Sequence, residues 1–192
     1  MSEKTNLYSE AHLTERHLST EEIFQGRIMH IIRDTVALPD GKETTREVLR
    51  HRGAACVIPL TDEGEVLMVR QYRYPIGCVL PEIPAGKLDS AGEDSLSAAK
   101  RELREETGAR ADIWLDLGVF YGAPAYTDEA VHMYAAKNLH FGAQQLDPGE
   151  FLDVCRVPLE ELVAQTQNGE ITDGKTQVAV LKLAALVQQK RF

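Results

Sequence analysis

The sequence has little cysteine, and none of it is arranged in pairs. The three cysteines, Cys56, Cys78 and Cys155, lie far apart, and no two are separated by only two residues. An odd, scattered set indicates neither a zinc site nor a disulfide framework. Cys56 and Cys155 lie in apolar, strand-like segments, which predicts buried thiols and a reducing, cytoplasmic location.

The sequence also lacks a long apolar run and an excess of positive charge. Its first ten residues, MSEKTNLYSE, are polar and are expected to be frayed. No apolar segment approaches the roughly 20 residues that cross a membrane, so we expect neither a signal peptide nor membrane attachment. A net charge of −9 argues against nucleic-acid binding as the main function. It does not exclude a polyanionic substrate, because a bound metal reverses the local sign of charge.

The most informative segment runs from Gly86 to Ala109, and its second half predicts a short amphipathic helix. Asp94 suits the N-cap, because its carboxylate can accept hydrogen bonds from the first-turn amides. Gly108 suits a left-handed residue that ends the helix. One apolar stripe at helical spacing is formed by Leu96, Ala99 and Leu103.

Three carboxylates are crowded at the end of this predicted helix. Glu102 and Glu106 are four residues apart and project from one face, with Glu105 beside them. They repel one another and also the partial negative charge of the helix C-terminus. A divalent cation among them would remove this repulsion, and oxygen ligands favour Mg²⁺ or Mn²⁺.

The same segment resembles the Nudix box, Gly-x5-Glu-x7-Arg-Glu-U-x-Glu-Glu-x-Gly-U, in which U is a bulky apolar residue. The run from Arg101 to Gly108 matches without a gap, and Glu93 lies at the matching distance before it. The chain departs from the pattern at two points. Six residues separate Gly86 from Glu93, and the last position is the small Ala109. The resemblance implies a Nudix pyrophosphohydrolase.

By this resemblance, the metal ligands are Glu102, Glu106 and the backbone carbonyl of Ala85. Glu105 is implied as a shared ligand or an ion-pair partner. Arg101 precedes Glu105 by four residues, and we interpret it as a residue that orients this carboxylate.

The general base is implied to be a glutamate on a loop beyond the box. Residues 144–150 form the corresponding loop here, and Glu150 is the candidate. A solvated loop acid is the alternative. Some members of the family use metal-bound hydroxide or a box glutamate instead, so Glu105 also stays a catalytic candidate.

The substrate class is indicated by segments outside the box. The loop 122–129 resembles the SPGxTxE segment of ADP-ribose pyrophosphatases, with Pro124 at the matching proline and Glu129 at the acid. Glu82 opens a segment, EIPAG, that resembles their ELPAG. Arg73 suits a phosphate contact, since guanidinium presents a bidentate fork, although a surface ion pair is the alternative. Glu129 either contacts ribose or a metal-bound water or is solvated.

The predicted fold class is α+β. Residues 1–50 are expected to form a small antiparallel β region that contributes to dimerisation and to the substrate site, and residues 51–192 the catalytic domain. Strands mixed with two or three helices suggest layers, and the resemblance implies an α/β/α sandwich with a mixed sheet. In such relatives the N-terminal sheet often packs on a second subunit, so we expect a homodimer. A last helix capped by Asp173 is expected to bury Val178, Leu181, Ala185 and Leu186.

The predicted function is Mg²⁺-dependent hydrolysis of ADP-ribose to AMP and ribose 5-phosphate. The alternatives are hydrolysis of another nucleoside diphosphate sugar, such as GDP-mannose or a UDP-sugar, and binding of a nucleotide sugar without hydrolysis. The sequence leaves open the base and sugar preference, the phosphorus attacked, the number of metal ions and the geometry of the dimer.

Overall fold

A computed structural model describes Glu10, residues 12–90 and residues 92–192. The predicted fraying of the N-terminus falls almost wholly outside these residues. The chain forms two compact units. The first contains the residues up to His51 together with Ala123–Asp128, and the second contains Arg52–Gly122 and Glu129–Phe192.

The first unit contains a three-stranded antiparallel sheet in the order β1-β2-β3. These strands are Arg16–Gln25, His30–Ala37 and Glu43–Arg50. The central strand alternates between buried and partly buried residues, with Ile32, Asp34 and Val36 buried. This alternation is expected when one face of a sheet is more buried than the other. Gly41 takes a left-handed conformation, φ 85°, in the turn that joins the antiparallel strands β2 and β3.

The second unit contains two further sheets, one in the order β7-β4-β9-β8 and one in the order β10-β5-β6. Their strands are β4 Ala54–Pro59, β5 Glu65–Arg73, β6 Cys78–Glu82, β7 Ala85–Lys87, β8 Ala109–Phe120, β9 Val131–Phe141 and β10 Leu152–Pro158. The four-stranded sheet is mixed, because β4 and β9 are parallel while the other pairs are antiparallel.

The buried strand β4 separates two apolar clusters. Cys56 and Ile58 face a cluster that contains residues of the last two helices, α2 (Leu159–Gln167) and α3 (Gly174–Gln188). Ala55 and Val57 face a second cluster that contains residues of α1 (Ser95–Thr107). Helices therefore lie on both faces of the sheet, which confirms the α/β/α layering and the mixed α+β class.

The helix α1 has the predicted caps. The Asp94 carboxylate accepts a hydrogen bond from the Ser97 amide at 2.9 Å. At the other end, Gly108 has φ 71° and its amide donates to the Arg104 carbonyl at 2.9 Å. Ala99 and Leu103 are fully buried on the predicted apolar stripe, and Leu96 packs against the same cluster. These contacts fix which face α1 presents to the rest of the unit.

The last helix has the predicted cap but buries a different face. Asp173 accepts from the Thr176 amide at 3.0 Å, yet Leu181 is 46% exposed and Ala185 is also exposed. The buried set is Thr176, Ala179, Val180 and Leu183. The prediction was wrong for Leu181 and Ala185, whereas Val178 and Leu186 do pack against the core. Residues 178–187 are apolar on nearly every side, so their periodicity does not select one face.

The thiols also differ from one another. Cys56 is buried as predicted, Cys155 is only partly buried, and Cys78 is exposed; all three are free. Burial raises the pKa of the Cys56 thiol to about 12, which makes it inert as a nucleophile. No helix among the described residues is long and apolar enough to cross a membrane.

Candidate functional site

Two glutamates of α1 are buried against a strand backbone. Glu102 is 9% exposed and Glu106 is 3% exposed. The Ala85 amide donates to Oε2 of Glu106 at 3.1 Å. A Cβ atom placed on Gly86 would lie 1.9 Å from Oε1 of Glu102, so any larger residue there would displace this carboxylate. The strand β7 therefore brings Ala85 and Gly86 directly onto the acid pair, despite the longer loop that follows Gly86.

Both carboxyl groups titrate above their ordinary range. Burial, together with the charge of Glu102, raises the pKa of Glu106 to about 8. Burial likewise raises the pKa of Glu102 to about 6, although Arg101 acts in the opposite direction. Two acids that the protein leaves without sufficient positive charge are typical of a site that takes up a cation.

Arg101 holds one side of the acid cluster in place. It donates to Oε1 of Glu102 at 2.6 Å and to Oε2 of Glu105 at 3.3 Å through Nη1. Its Nη2 donates to the Lys87 carbonyl at 3.0 Å, which links α1 to β7. Glu105 also accepts from Arg104 at 3.0 Å. These contacts give Arg101 the orienting role expected for it and place Glu105 in ion pairs; the metal and catalytic roles of Glu105 stay predictions.

The acid pair fits a hard divalent cation. Within the described residues, no three histidine, cysteine, aspartate or glutamate side chains are placed to hold a metal ion by themselves. Mg²⁺, however, is usually bound by one or two carboxylates, with water and substrate phosphate completing its shell. Glu102, Glu106 and the neighbouring Ala85 carbonyl offer that kind of donor set.

The loop that carries Glu150 is attached to the end of α1. The Gln145 amide donates to the Glu105 carbonyl at 2.9 Å, and Gln144 Nε2 donates to the Glu106 carbonyl. The charge of Glu150 contributes to the raised pKa of both Glu102 and Glu106. This loop therefore brings Glu150 into the electrostatic reach of the acid pair. Sequence reasoning missed the two glutamines, which carried no motif.

A cavity of about 440 Å³ opens beside the acid pair, within the second unit. Its lining includes both Ala85 and Gly86, and it also includes the predicted substrate residues Arg73 and Glu129. Its charged lining residues are three bases, Arg73, Lys87 and Lys175, and two acids, Glu129 and Asp173. This volume lies in the ordinary range of small-molecule sites, and its cations suit an anionic ligand.

Glu82 lies next to this cavity, and its carboxylate accepts hydrogen bonds from two basic side chains. It is 2% exposed. Arg73 binds it in a bidentate manner, at 2.6 Å from Nε and 2.8 Å from Nη2, and Lys175 Nζ binds Oε2. Although burial acts to raise the pKa of Glu82, these hydrogen bonds and charges outweigh it and hold the pKa below the ordinary value. Glu82 thus fixes Arg73 at the cavity wall, and its direct contact with substrate stays a prediction.

Lys175 is the main site residue that sequence reasoning missed. It is largely buried and also pairs with Asp173 at 3.0 Å. Burial disfavours its charge, but Asp173 and Glu82 hold its pKa above the ordinary value. The signal available was its position two residues after a predicted N-cap, which places it in the first turn of α3.

Pro124 lies in the first unit. It belongs to a turn in which the Tyr126 amide donates to the Ala123 carbonyl at 3.1 Å. The turn is tied to β3, since the Leu49 amide donates to the Tyr126 carbonyl at 2.8 Å. Asp128 accepts from the His51 amide at 2.7 Å. The role of Pro124 in substrate binding stays a prediction.

Comparisons with known proteins agree with this geometry. Residues 49–176 match the NUDIX domain, and residues 15–49 match the nucleoside diphosphate sugar hydrolase N-terminal domain. The chain is 38% identical to an ADP-ribose pyrophosphatase of Bacillus subtilis over 183 residues, which cover 93% of this chain and 98% of the relative. It is 42% identical to the methanol dehydrogenase activator of Bacillus methanolicus over 168 residues, covering 86% and 90%.

A solved structure shows the same fold. It is described as an ADP compounds hydrolase and superimposes with a TM-score of 0.81, covering 93% of this chain and 97% of its own at 22% identity. At that identity, the likeness concerns the fold alone.

Proposed function

The chain belongs to the NUDIX family, and on that basis we propose that it is a pyrophosphohydrolase that cleaves the diphosphate bond of ADP-ribose, with Mg²⁺ as its metal. Water adds to one phosphorus, and the bond from that phosphorus to the bridging oxygen breaks. The products are AMP and ribose 5-phosphate. The relatives named ADP-ribose pyrophosphatase support this substrate. Mn²⁺ is the expected substitute ion.

One observation carries the proposal, namely the position of the acid pair beside a cation-lined cavity. Gly86 and Ala85 belong to both, because they touch Glu102 and Glu106 on one side and line the cavity on the other. A diphosphate in the cavity would therefore lie next to the carboxylates. This is the arrangement that hydrolysis of a diphosphate requires.

Phosphate binding, metal binding and proton transfer would be carried out by different residues. Arg73 is held in orientation by Glu82 and presents its guanidinium to a phosphate, while Lys175 and Lys87 add positive charge at the cavity wall. Glu102, Glu106 and the Ala85 carbonyl would hold the metal, which neutralises charge on the phosphoryl oxygens and lowers the pKa of water. Glu150 is the candidate that accepts the proton of the attacking water.

We propose that the protein is a cytoplasmic homodimer. The three free cysteines support a reducing compartment. The first unit exposes large apolar side chains, among them Phe24 at 54% and Ile28 at 71%, which supports a further contact surface there. Sedimentation of the purified chain would test the dimer; a monomer at micromolar concentration would contradict it.

Product analysis tests the substrate. The purified chain is incubated with Mg²⁺ and, separately, with ADP-ribose, GDP-mannose, UDP-glucose, NADH and a nucleoside triphosphate, and kcat/KM is ranked. We expect ADP-ribose to lead and to give AMP. If no compound turns over while ADP-ribose still binds, the chain is a nucleotide-sugar binding protein and the proposal of catalysis fails.

A second candidate substrate is another nucleoside diphosphate sugar. The match of residues 15–49 to the nucleoside diphosphate sugar hydrolase N-terminal domain favours it. In the same assay, this candidate predicts that GDP-mannose or UDP-glucose leads. The acid pair and the metal would then keep their roles, and only the choice of nucleotide and sugar would change.

A further inference from the structure

A second cavity, of about 480 Å³, lies on another face of α1. We call it the basic groove and define it by Lys100, Arg101, Arg104, Arg110 and Trp114. It shares no lining residue with the cavity beside the acid pair. Its volume is sufficient for a small ligand.

The groove concentrates positive charge in an acidic chain. Lys100, Arg101 and Arg104 fall at helical spacing on one face of α1, and Arg110 opens the adjacent strand β8. The whole chain has a net charge of −9. Four cations around one concavity in such a chain attract a ligand of negative charge.

Part of this positive charge is not balanced by the protein. Arg101 and Arg104 bind Glu105, and Arg101 also binds Glu102. In contrast, neither Lys100 nor Arg110 makes an ion pair in the described part of the chain. The Nε atom of Arg104 is buried and has no hydrogen-bond partner among the described residues. The positive charges of Lys100 and Arg110 are therefore the ones left available to an anionic ligand.

The groove also contains a fixed aromatic surface. Trp114 donates from Nε1 to the Ala111 carbonyl at 3.0 Å, which satisfies its one polar atom. Tyr134 meets the indole edge-on, with ring centroids 6.4 Å apart. Lys100 Nζ lies 5.7 Å from the indole centroid. Stacking of a base on an aromatic ring is stronger than such an exposed cation–π contact, so a ligand can displace the flexible lysine side chain.

We propose that the basic groove is a second binding site for a nucleotide, separate from the hydrolytic site. Its base would contact Trp114, and its phosphate would lie among Lys100, Arg104 and Arg110. An acidic protein partner fits less well, because a stable protein interface needs a broad surface, roughly 800 Å² on each side, and the charge here is gathered in a concavity.

The chain offers a direct readout, because Trp114 is its only tryptophan. The full-length protein is titrated in EDTA with AMP, adenosine and inorganic pyrophosphate while the tryptophan fluorescence is followed. We expect saturable quenching by AMP. Adenosine lacks the phosphate and pyrophosphate lacks the base, so each should bind at least roughly tenfold more weakly.

The matched variants separate this site from any other. Lys100→Gln combined with Arg110→Gln should raise the Kd for AMP by roughly tenfold or more, because both charges face the phosphate. Arg70→Gln removes an exposed arginine of β5, away from the groove, and should leave the Kd unchanged. Circular dichroism would check that each variant is folded. Both variants should retain turnover of ADP-ribose.

Several results would overturn the proposal. Quenching that does not saturate is collisional and shows no site. An unchanged Kd in the double variant places AMP elsewhere. Pyrophosphate binding as tightly as AMP would reduce the groove to a plain anion site, and polyglutamate displacing AMP at lower concentration would favour an acidic protein partner. None of these results depends on whether ADP-ribose is hydrolysed.

Discussion

The two buried acid sites of the second unit differ in how their charge is balanced. Glu82 has Arg73 and Lys175 as hydrogen-bond partners, and its pKa lies below the ordinary value. Glu106 has one backbone amide and a second carboxylate nearby, and its pKa rises to about 8. Both are at most 3% exposed. Burial alone therefore does not set the protonation state; the partners do, and only the second site calls for an external cation.

The largest expected effect is on activity and comes from Glu106→Gln. Loss of a metal ligand should lower kcat/KM on the order of 10³-fold, since the metal supplies several kcal/mol of transition-state stabilisation. Glutamine preserves the shape and removes the charge, so the fold should persist. Steady-state kinetics and thermal unfolding with and without Mg²⁺ measure both quantities.

The control for this variant is Glu160→Gln, which changes an exposed acid in the first turn of α2. Mg²⁺ should raise the Tm of the control and of the wild type, because a ligand that binds only the folded state stabilises it. Full turnover by Glu106→Gln would contradict the assignment of this carboxylate to the metal.

The next largest effect is on stability and concerns Glu82, whose charge is balanced by Arg73 and Lys175; we call this the satisfied site. Lys175→Met should lower the free energy of unfolding by about 3 kcal/mol, because it removes a partner of two carboxylates, Glu82 and Asp173, from a buried ion-pair network. Urea unfolding at pH 7 measures the change. Combining it with Glu82→Gln should cost less than the sum of the two single changes. Strict additivity would show that the two side chains do not interact.

Glu150→Gln tests what the loop contributes to the pair Glu102 and Glu106, whose charge the protein does not balance; we call this pair the unsatisfied site. We expect kcat to fall by about 10²-fold, the usual contribution of a general base, with little change in the Mg²⁺ concentration needed for half activity. Single-turnover rates across a Mg²⁺ series separate the two. An unaltered rate would mean that another group accepts the proton of the attacking water, and Glu105 is the second candidate.

The last effect is the response to pH, in which the two sites should have opposite slopes. The folded-state pKa of Glu82 is lowered from 4.5, so its stabilising contribution is present above that value and is lost as pH falls through the lowered pKa. The stability advantage of the wild type over Glu82→Gln should therefore shrink between pH 6 and pH 3.

For Glu106, the folded-state pKa is raised from 4.5 to about 8, so without metal its contribution is fully present below 4.5 and is lost as pH rises towards 8. In EDTA, Glu106→Gln should gain stability relative to the wild type over that range. Urea unfolding series for both variants measure these slopes, and equal slopes would remove the distinction between the sites.

Local patterns predicted the unsatisfied site well. Asp94 and Gly108 bound the helix as expected, and the spacing of Glu102 and Glu106 placed them on one face. Such features depend on residues within two turns of each other, so they are visible in the sequence. The resemblance to the Nudix box added the family, which the comparisons confirmed.

The satisfied site was hidden from local patterns because its partners are remote in sequence. Lys175 and Glu82 are 93 residues apart, and only the packing of α3 in the folded unit brings them together. The wrong prediction of buried Leu181 and Ala185 in α3 has the same origin. Its sequence is apolar on most sides, so the tertiary contacts of Ala179 and Leu183, not the periodicity, decide which side is buried.

The attachment of the Glu150 loop to α1 has a consequence for local unfolding. The Gln145 amide of the loop donates to the Glu105 carbonyl, and the amide of Gly142, just before the loop, donates to the Gly108 carbonyl; neither carbonyl has a partner within the helix itself. We therefore expect the loop and the last helical turn to open and close together as one cooperative unit. Amide hydrogen exchange at these two positions should follow a common rate, and a metal held by Glu102 and Glu106 should slow it by steadying the same turn.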